Sequence, residues 1–220
     1  RDNLGRVVER EDTIGSEVKR FKYAYDGAGR LPDVYEYAGD VAKRREQYVY
    51  GLNGTRTSVS KYTAGVLTST KSAFYNDQDQ LETFDGAKYT YLPSGELSTK
   101  EVGGTIVEQY EWDAHGNLLA VVFPTATGTA LKRIDYIVDP LGHRVGKKET
   151  RGTLAAVLTR RWLWDGSLRI VGEDELARWD GTTSSYASKQ IKTAYLYAGR
   201  PNVPALAVRK DLSAGTTETY

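Results

Sequence analysis

The sequence predicts an all-β fold, built as an array of β-hairpin repeats. Three observations support this prediction. Two aromatic residues separated by a single residue recur along the chain, a turn rich in Asp, Gly and Asn follows each pair, and short strand-like segments fill the intervals. The clearest copy runs from Tyr23 and Tyr25 through Asp26 and Gly29 to Leu31.

The second aromatic of each pair is called the anchor of its repeat. Successive anchors lie 25, 25, 16, 21, 26, 26 and 33 residues apart, and a recurring period of this size marks a repeat protein. The anchors are Tyr25, Tyr50, Tyr75, Tyr91, Trp112, Val138, Trp164 and Tyr197. An aromatic two residues earlier, such as Tyr23 or Tyr136, is expected on the same face of the strand because side chains alternate.

The turn after each anchor has a fixed register. Directly after four of the anchors stand Asp26, Asp113, Asp139 and Asp165. Four residues after the anchor stand Gly29, Gly54, Gly95, Gly116 and Gly142, with Asp79 replacing glycine in one copy. Glycine or aspartate at that place indicates a positive φ. Each repeat is therefore predicted to be a strand, a short turn and a returning strand.

The segments between anchors support strands. They alternate and are rich in β-branched or aromatic residues, as in Tyr35–Tyr37, Arg56–Tyr62, Thr105–Tyr110 and Val157–Trp162. One segment, Gly172–Trp179, has a weak helical pattern as an alternative to a strand.

The phrases that begin at Tyr25, Trp112 and Val138 resemble the YD repeats of RHS-repeat proteins, and the resemblance covers nearly the whole chain. The segment from Trp164 through Tyr197 to Pro204 is similar to the late part of a bacterial RHS core. In that family the repeats form a curved ribbon that spirals into a hollow β-shell. The shell encloses a C-terminal effector domain in bacterial toxins, and the related teneurins use a similar shell on animal cell surfaces.

For this chain the resemblance implies one RHS/YD-repeat region over residues 1–220, a section of shell wall and a fragment of a longer shell. Its implied partners are the remaining repeats and the effector domain of the same polypeptide, and its implied location is secreted or on the cell surface. Asp139–Gly142 is similar to part of the family's self-cleavage motif. Because it lies in the ordinary turn register, we interpret it as a turn and carry no self-cleavage over to it.

Composition limits the other functional classes. The net charge is +1 and the charges are mixed, as in Lys147-Lys148-Glu149; this is typical of a solvated face and does not indicate a nucleic-acid partner. There is no cysteine, so disulfides and thiolate metal sites are excluded. No segment approaches the roughly 20 apolar residues of a membrane span.

Candidate catalytic groups are few. The histidines are His115 and His143, both in turns and both interpreted as surface residues without a nucleophile motif. The carboxylates of Asp77 and Asp79 suit turn geometry, and the acidic run at 173–175 is expected to be solvent-exposed. We therefore predict no catalytic, cofactor-binding or metal-binding residues, and no enzyme.

Three functions remain open, of which a structural shell section is the leading one. Its scaffold residues would be Tyr23, Tyr25, Asp26, Gly29, Tyr50, Gly54, Tyr75, Tyr91, Gly95, Trp112, Asp113, Gly116, Tyr136, Asp139, Gly142, Trp164, Asp165 and Tyr197. The alternative is an adhesin module that binds a cell-surface glycan or a receptor through aromatics outside the repeat register. Its candidate ligand-contact residues are Tyr62, Trp179 and Tyr186. A hydrolase would need a convergent acid pair that the sequence does not display.

Overall fold

A computed structural model of the protein describes residues 1–14, 16–125, 130–166, 168–197 and 203–220. All regular elements in these residues are strands, which confirms the predicted all-β fold. The strands are β1 (Glu9–Ile14), β2 (Glu17–Ala24), β3 (Asp33–Ala38), β4 (Val41–Tyr50), β5 (Arg56–Thr63), β6 (Val66–Tyr75), β7 (Leu81–Phe84), β8 (Ala87–Tyr91), β9 (Leu97–Val102), β10 (Thr105–Trp112), β11 (Leu118–Pro124), β12 (Ala130–Val138), β13 (Arg144–Arg151), β14 (Val157–Trp164), β15 (Ile170–Asp180), β16 (Ser185–Tyr197), β17 (Pro204–Asp211) and β18 (Thr216–Thr219).

The chain divides into two compact units, Arg1–Tyr89 and Thr90–Tyr220. In the first unit, antiparallel registers join each strand from β1 to β8 to the next one along the chain. In the second unit, the same holds from β9 to β18. Each unit is therefore an antiparallel meander, as expected where a turn signal follows every strand.

Two kinds of connection alternate along each meander. The repeat turns are the five-residue connections that follow the anchors, such as 26–30 between β2 and β3. The far turns join the other ends of the strands, as Gly39-Asp40 does between β3 and β4. Consecutive turns of a meander lie at opposite ends of its strands. All repeat turns within one unit therefore lie at the same end of the strands.

The predicted strand segments lie in β3, β5, β10 and β14, and those predictions are confirmed. The helical alternative for Gly172–Trp179 is wrong, because this segment lies inside β15. The segment is paired with β14 on one side and with β16 on the other. These ladder hydrogen bonds satisfy its backbone and override the weak helical pattern of Glu, Leu and Ala side chains.

Among the residues that the structure describes, buried apolar side chains are few, and most are small: Val59, Ala73, Ala87, Ala120, Val121, Ala177 and Ile191. Hydrophobic burial is therefore modest, and ladder hydrogen bonds and cross-strand side-chain pairs contribute a larger share of the stability. Three polar side chains, Glu149, Thr159 and Glu175, are as well buried as the apolar ones.

Candidate functional site

Each repeat turn is closed by the same backbone hydrogen bond. In the clearest copy, the Asp26 amide donates to the carbonyl of Arg30 at 2.9 Å, and the Gly29 amide donates back to the carbonyl of Asp26 at 3.0 Å. The first bond recurs in turns that begin at Asp2, Asp26, Gly51, Asn76, Leu92, Asp113, Asp139 and Asp165. The repetition read from the sequence is thus a repetition of backbone geometry.

The predicted positive φ occurs at the fourth position of the repeat turn. Gly29 has a φ of +79°, and Asp79, which replaces glycine, has a φ of +60°. Aspartate tolerates this left-handed conformation better than most side chains do. The turn that begins at Asp165 differs, because its positive φ of +97° is at Gly166, two positions earlier.

The first side chain of the turn stabilises the turn internally. Asp26 Oδ1 accepts from the amides of Ala28 and Arg30 at 3.0 and 2.9 Å, and Arg30 Nε donates to Asp26 Oδ2 at 2.8 Å. The hydrogen bond from Arg30 is the main cause that lowers the pKa of Asp26 below its ordinary value. The same pattern of acceptance occurs at Asp2, Asn76, Asp113 and Asp139.

The last side chain of the turn stacks on the anchor of the next repeat in four copies. The Arg30 guanidinium lies 5.1 Å from the centroid of the Tyr50 ring. The other pairs are Arg6 with Tyr25 at 4.5 Å, Arg169 with Tyr197 at 5.5 Å, and His143 with Trp164 at 4.6 Å. A cation over an aromatic ring at such sites contributes about 0.5–1 kcal/mol.

Six anchors also make a hydrogen bond to the preceding repeat, here called the anchor bond. The Tyr50 hydroxyl donates to the carbonyl of Leu31 at 2.9 Å, directly after the last residue of the preceding repeat turn. The other anchor bonds run from Tyr25 to Val7, Tyr75 to Arg56, Trp112 to Leu97, Trp164 to Arg144 and Tyr197 to Ile170, at 2.8–3.0 Å. In every case the acceptor carbonyl follows the turn directly.

Six anchors lie at β-bulges, which help their side chains to reach the preceding repeat. The register shifts between Val49 and Tyr50, and the same shift occurs at Tyr75, Trp112, Val138, Trp164 and Tyr197. A bulge bends the strand and re-aims the side chain. Tyr50 pairs with Arg56, whose carbonyl accepts from Tyr75, so consecutive repeats are linked in series. Val138 has no side-chain donor, so its repeat lacks the anchor bond.

The remaining predicted scaffold residues lie in the same elements. Tyr23 pairs with Val34 between β2 and β3, and Tyr91 ends β8. Tyr136 lies in β12 with the Arg144 guanidinium 4.5 Å from its ring centroid. The glycines of the other repeat turns have positive φ: Gly54, Gly95, Gly116 and Gly142.

The predicted ligand-contact aromatics are half-buried. Tyr62 lies in the first unit, where its hydroxyl donates to Gln47 Oε1 at 3.1 Å. Trp179 and Tyr186 lie in the second unit and meet edge to face, with centroids 5.1 Å apart. The Arg151 guanidinium lies 4.6 Å from the centroid of the Trp179 ring, so one face of that ring is already covered.

Two expectations about charged groups are wrong. The sequence predicts an exposed acidic run at 173–175, but Glu175 is 9% exposed and accepts from Arg178 Nε and Nη2 at 2.6 and 2.9 Å. Glu149, expected on a solvated face, is 8% exposed and receives Lys147 Nζ at 2.7 Å. Neighbouring cations make both burials tolerable, because a buried carboxylate needs paired charge.

The histidines differ from one another. His115 is exposed, as predicted. The prediction of a surface residue is wrong for His143, whose side chain is only 13% exposed. Its ring lies against Trp164, and its Nδ1 is 3.0 Å from Asp139 Oδ2.

Within the described ranges, no group of three or more His, Asp or Glu side chains is placed to hold a metal ion. The same residues include no helix long and apolar enough to cross a membrane.

Comparison with known proteins gives matches over most of the chain. The family model for the Teneurin YD-shell matches residues 1–158. Double-stranded DNA deaminase toxin A of Burkholderia cenocepacia (strain H111) is 27% identical over 176 residues, which cover 78% of this chain and 11% of the toxin. Teneurin-4 of Mus musculus is 30% identical over 151 residues, which cover 68% of this chain and 5% of the teneurin. The chain thus spans a small part of these relatives.

Among solved structures, the crystal structure of TcdB2-TccC3 without its hypervariable C-terminal region aligns with a TM-score of 0.45 at 12% identity. That alignment covers 93% of this chain and 10% of the other.

Proposed function

Because the chain belongs to the Teneurin YD-shell family, we propose that it is a section of shell wall that encapsulates or presents a C-terminal effector domain of the same polypeptide. The family predicted from the repeated turns is confirmed. The role proposed for the chain is structural and non-catalytic, and its proposed location is outside the cell that makes it.

The observation that carries the proposal is the series of anchor bonds. A wall must resist local opening, and an array of strands opens most easily between neighbouring repeats. The Tyr50 and Tyr75 hydroxyls each bind a carbonyl of the preceding repeat, which couples repeats beyond their ladder bonds. Nearest-neighbour coupling of this kind makes an array open cooperatively.

The proposed mechanism is confinement. A domain covered by the wall cannot reach its targets or a protease, and no reaction of the wall itself is needed. The predicted lack of catalytic, cofactor and metal sites accords with this role and remains a prediction.

The test uses the intact polypeptide that carries this chain. Limited proteolysis of that product should leave the C-terminal domain protected, whereas the same domain expressed alone should be cleaved. Combining Tyr50→Ala with Trp164→Ala, which removes two anchor bonds, should increase cleavage of the domain. Tyr62→Phe, which alters a hydroxyl outside the anchor series, should not. Equal cleavage of the domain in the intact product and alone would refute encapsulation.

A second candidate, a module that binds a cell-surface glycan or receptor, would use the half-buried pair Trp179 and Tyr186. A glycan array probed with the chain and with Trp179→Ala tests it. Binding that the substitution abolishes would favour this candidate over the wall.

A further inference from the structure

We infer that one face of the second unit carries a groove that binds the carboxylate side chains of a polypeptide segment laid across the sheet. The groove, here called the cation groove, has a volume of about 300 Å³ and crosses β12 to β15. Its charged and aromatic lining includes Lys132, Lys147, Glu149, Arg151, Arg178 and Trp179. The inference rests on the proposed function only in that an enclosed domain would supply the segment.

The strand registers bring these groups to one face. Lys132 pairs with Arg151 across β12 and β13, and Lys147 pairs with Arg160 across β13 and β14. Arg160 in turn pairs with Glu175 on β15. Directly paired residues project to the same side of a sheet, so the cations form a continuous row.

The row has more positive charge than its own carboxylates neutralise. Three cations surround the single carboxylate of Glu149: Lys147 at 2.7 Å, Arg151 at 3.9 Å and Lys132 at 4.0 Å. Five basic and two acidic side chains line the groove. Arg160 also pairs with Glu173 outside the groove, which leaves a surplus of two positive charges. The whole chain has a net charge of only +1, so positive charge is concentrated here.

The Arg151 guanidinium is not hydrogen-bonded to Glu149, because its Nη2 lies 3.9 Å from Glu149 Oε2. The Nε of Arg151 is buried and has no hydrogen-bond partner within the described part of the chain. Burial alone would raise the pKa of Glu149, yet Lys147, Lys132 and Arg151 hold that pKa below its ordinary value. The positive field therefore outweighs the desolvation of an anion at this place.

The surroundings favour a polypeptide over a sugar. Arg151 covers one face of Trp179 and Tyr186 meets the indole edge to face, which leaves little aromatic surface for stacking a sugar ring. Glu173 and Glu175 line the adjoining groove together with Arg160, Arg178 and Arg209. Cations and carboxylates alternate along the two grooves, and this spacing suits the separated carboxylates of a polypeptide better than the continuous charge of a polyanion.

Peptide titration of the 220-residue chain at low salt tests the inference. The probe is an octapeptide of glycine and serine that carries two glutamates, and its control is the same peptide with two glutamines. Binding is followed by the NMR signal of the Trp179 indole N–H, assigned with Trp179→Phe. We expect binding of the glutamate peptide and little or none of the glutamine peptide.

Two double variants separate the groove from general charge. Lys132→Gln with Arg151→Gln removes a cross-strand pair of cations from the groove and should weaken binding about tenfold. Lys192→Gln with Lys210→Gln removes an exposed cross-strand pair from the opposite face and should leave the affinity within about twofold. Equal weakening by both double variants would overturn the inference.

A variant that is expected to gain binding distinguishes a specific effect on the groove from misfolding of the chain. Glu149→Gln removes the resident carboxylate while keeping its shape, so the freed cations should bind the glutamate peptide about threefold more tightly, a gain that an unfolded chain cannot show. Equal binding of both peptides, or binding of polygalacturonate but not of the glutamate peptide, would refute the inference. Encapsulation is tested separately by proteolysis of the intact polypeptide, so either idea can fail alone.

Discussion

His143 lies nearly flat against Trp164, with ring centroids 4.6 Å apart and planes inclined by 20°. On its other side, His143 Nδ1 is 3.0 Å from Asp139 Oδ2. The histidine thus occupies the place that Arg30 takes between Asp26 and Tyr50. Arg30 and His143 are both planar side chains that hydrogen-bond to the turn and stack on the next anchor.

His143→Ala should lower the free energy of unfolding by about 0.5–1.5 kcal/mol, because it removes an aromatic stack and a hydrogen bond to Asp139. Urea unfolding followed by circular dichroism measures the change. His115→Ala, at an exposed turn position, serves as the control and should change stability by less than about 0.5 kcal/mol. Equal losses for the two variants would contradict the assignment.

Gly29→Ala should destabilise the chain by about 1–2 kcal/mol, because Gly29 has a φ of +79° and a β-carbon is strained there. Gly27 lies in the same turn, and a β-carbon added to it would meet only open space. Gly27→Ala should therefore be neutral or slightly stabilising. Thermal unfolding of both variants gives the comparison, and a reversed order would show that the turn adopts another conformation.

Tyr50→Phe should cost about 1 kcal/mol, because it leaves the Leu31 carbonyl without its anchor bond. Tyr62→Phe removes a hydroxyl that binds the side chain of Gln47, which water can replace, and should cost less. Chemical denaturation of both proteins measures the two losses. If Tyr62→Phe were the more damaging change, the anchor bond would not be the main contribution.

Acid should weaken the second unit through Glu149. Its folded pKa is below the ordinary value of 4.5, so the carboxylate contributes stability above pH 4.5 that is lost as the pH falls through the lower folded pKa. Glu149→Gln removes this proton uptake and should flatten the pH dependence of stability over that window. Denaturation curves at a series of acidic pH values test this. An unchanged slope in the variant would contradict the role of Glu149.

Tyr48 should ionise at a higher pH than an ordinary tyrosine does. Burial, followed by its hydrogen bond to Glu46, raises the pKa of Tyr48 to about 12. Its contribution to stability is complete below pH 10 and is lost as the pH rises through about 12. Absorbance titration of the phenolates should show a late component that Tyr48→Phe removes. A variant whose late component is unchanged would place the raised pKa on another tyrosine.

The turns could be predicted from the sequence because their chemistry is local. Positive φ at Gly29 and Asp79 follows from residue type at a fixed distance from the anchor. The carbonyl that each anchor binds could not be predicted, because it depends on bulges such as the one between Val49 and Tyr50. A repeat period gives the spacing of the anchors but not the register between strands.

The burial of Glu149 and Glu175 could not be predicted for the same reason. Along the chain, Glu149 is next to Lys148, and the pair looks like an ordinary mixed-charge surface. Its closest cation is Lys147 at 2.7 Å, and Lys132 approaches from the neighbouring strand. Cross-strand pairing, which no local pattern encodes, adds Lys132 beside Glu149 and Arg160 opposite Glu175.

The constancy of the repeat turns constrains how such a chain can vary in evolution. Anchors lie 16 to 33 residues apart, yet each repeat turn closes over five residues and its anchor bond reaches the residue just after the preceding turn. Variation in length must therefore fall on the strands and far turns. An insertion that lengthens two partner strands equally makes the sheet longer along its strands without disturbing the anchor bonds. A single residue added within a repeat turn would instead displace the next ring from its acceptor.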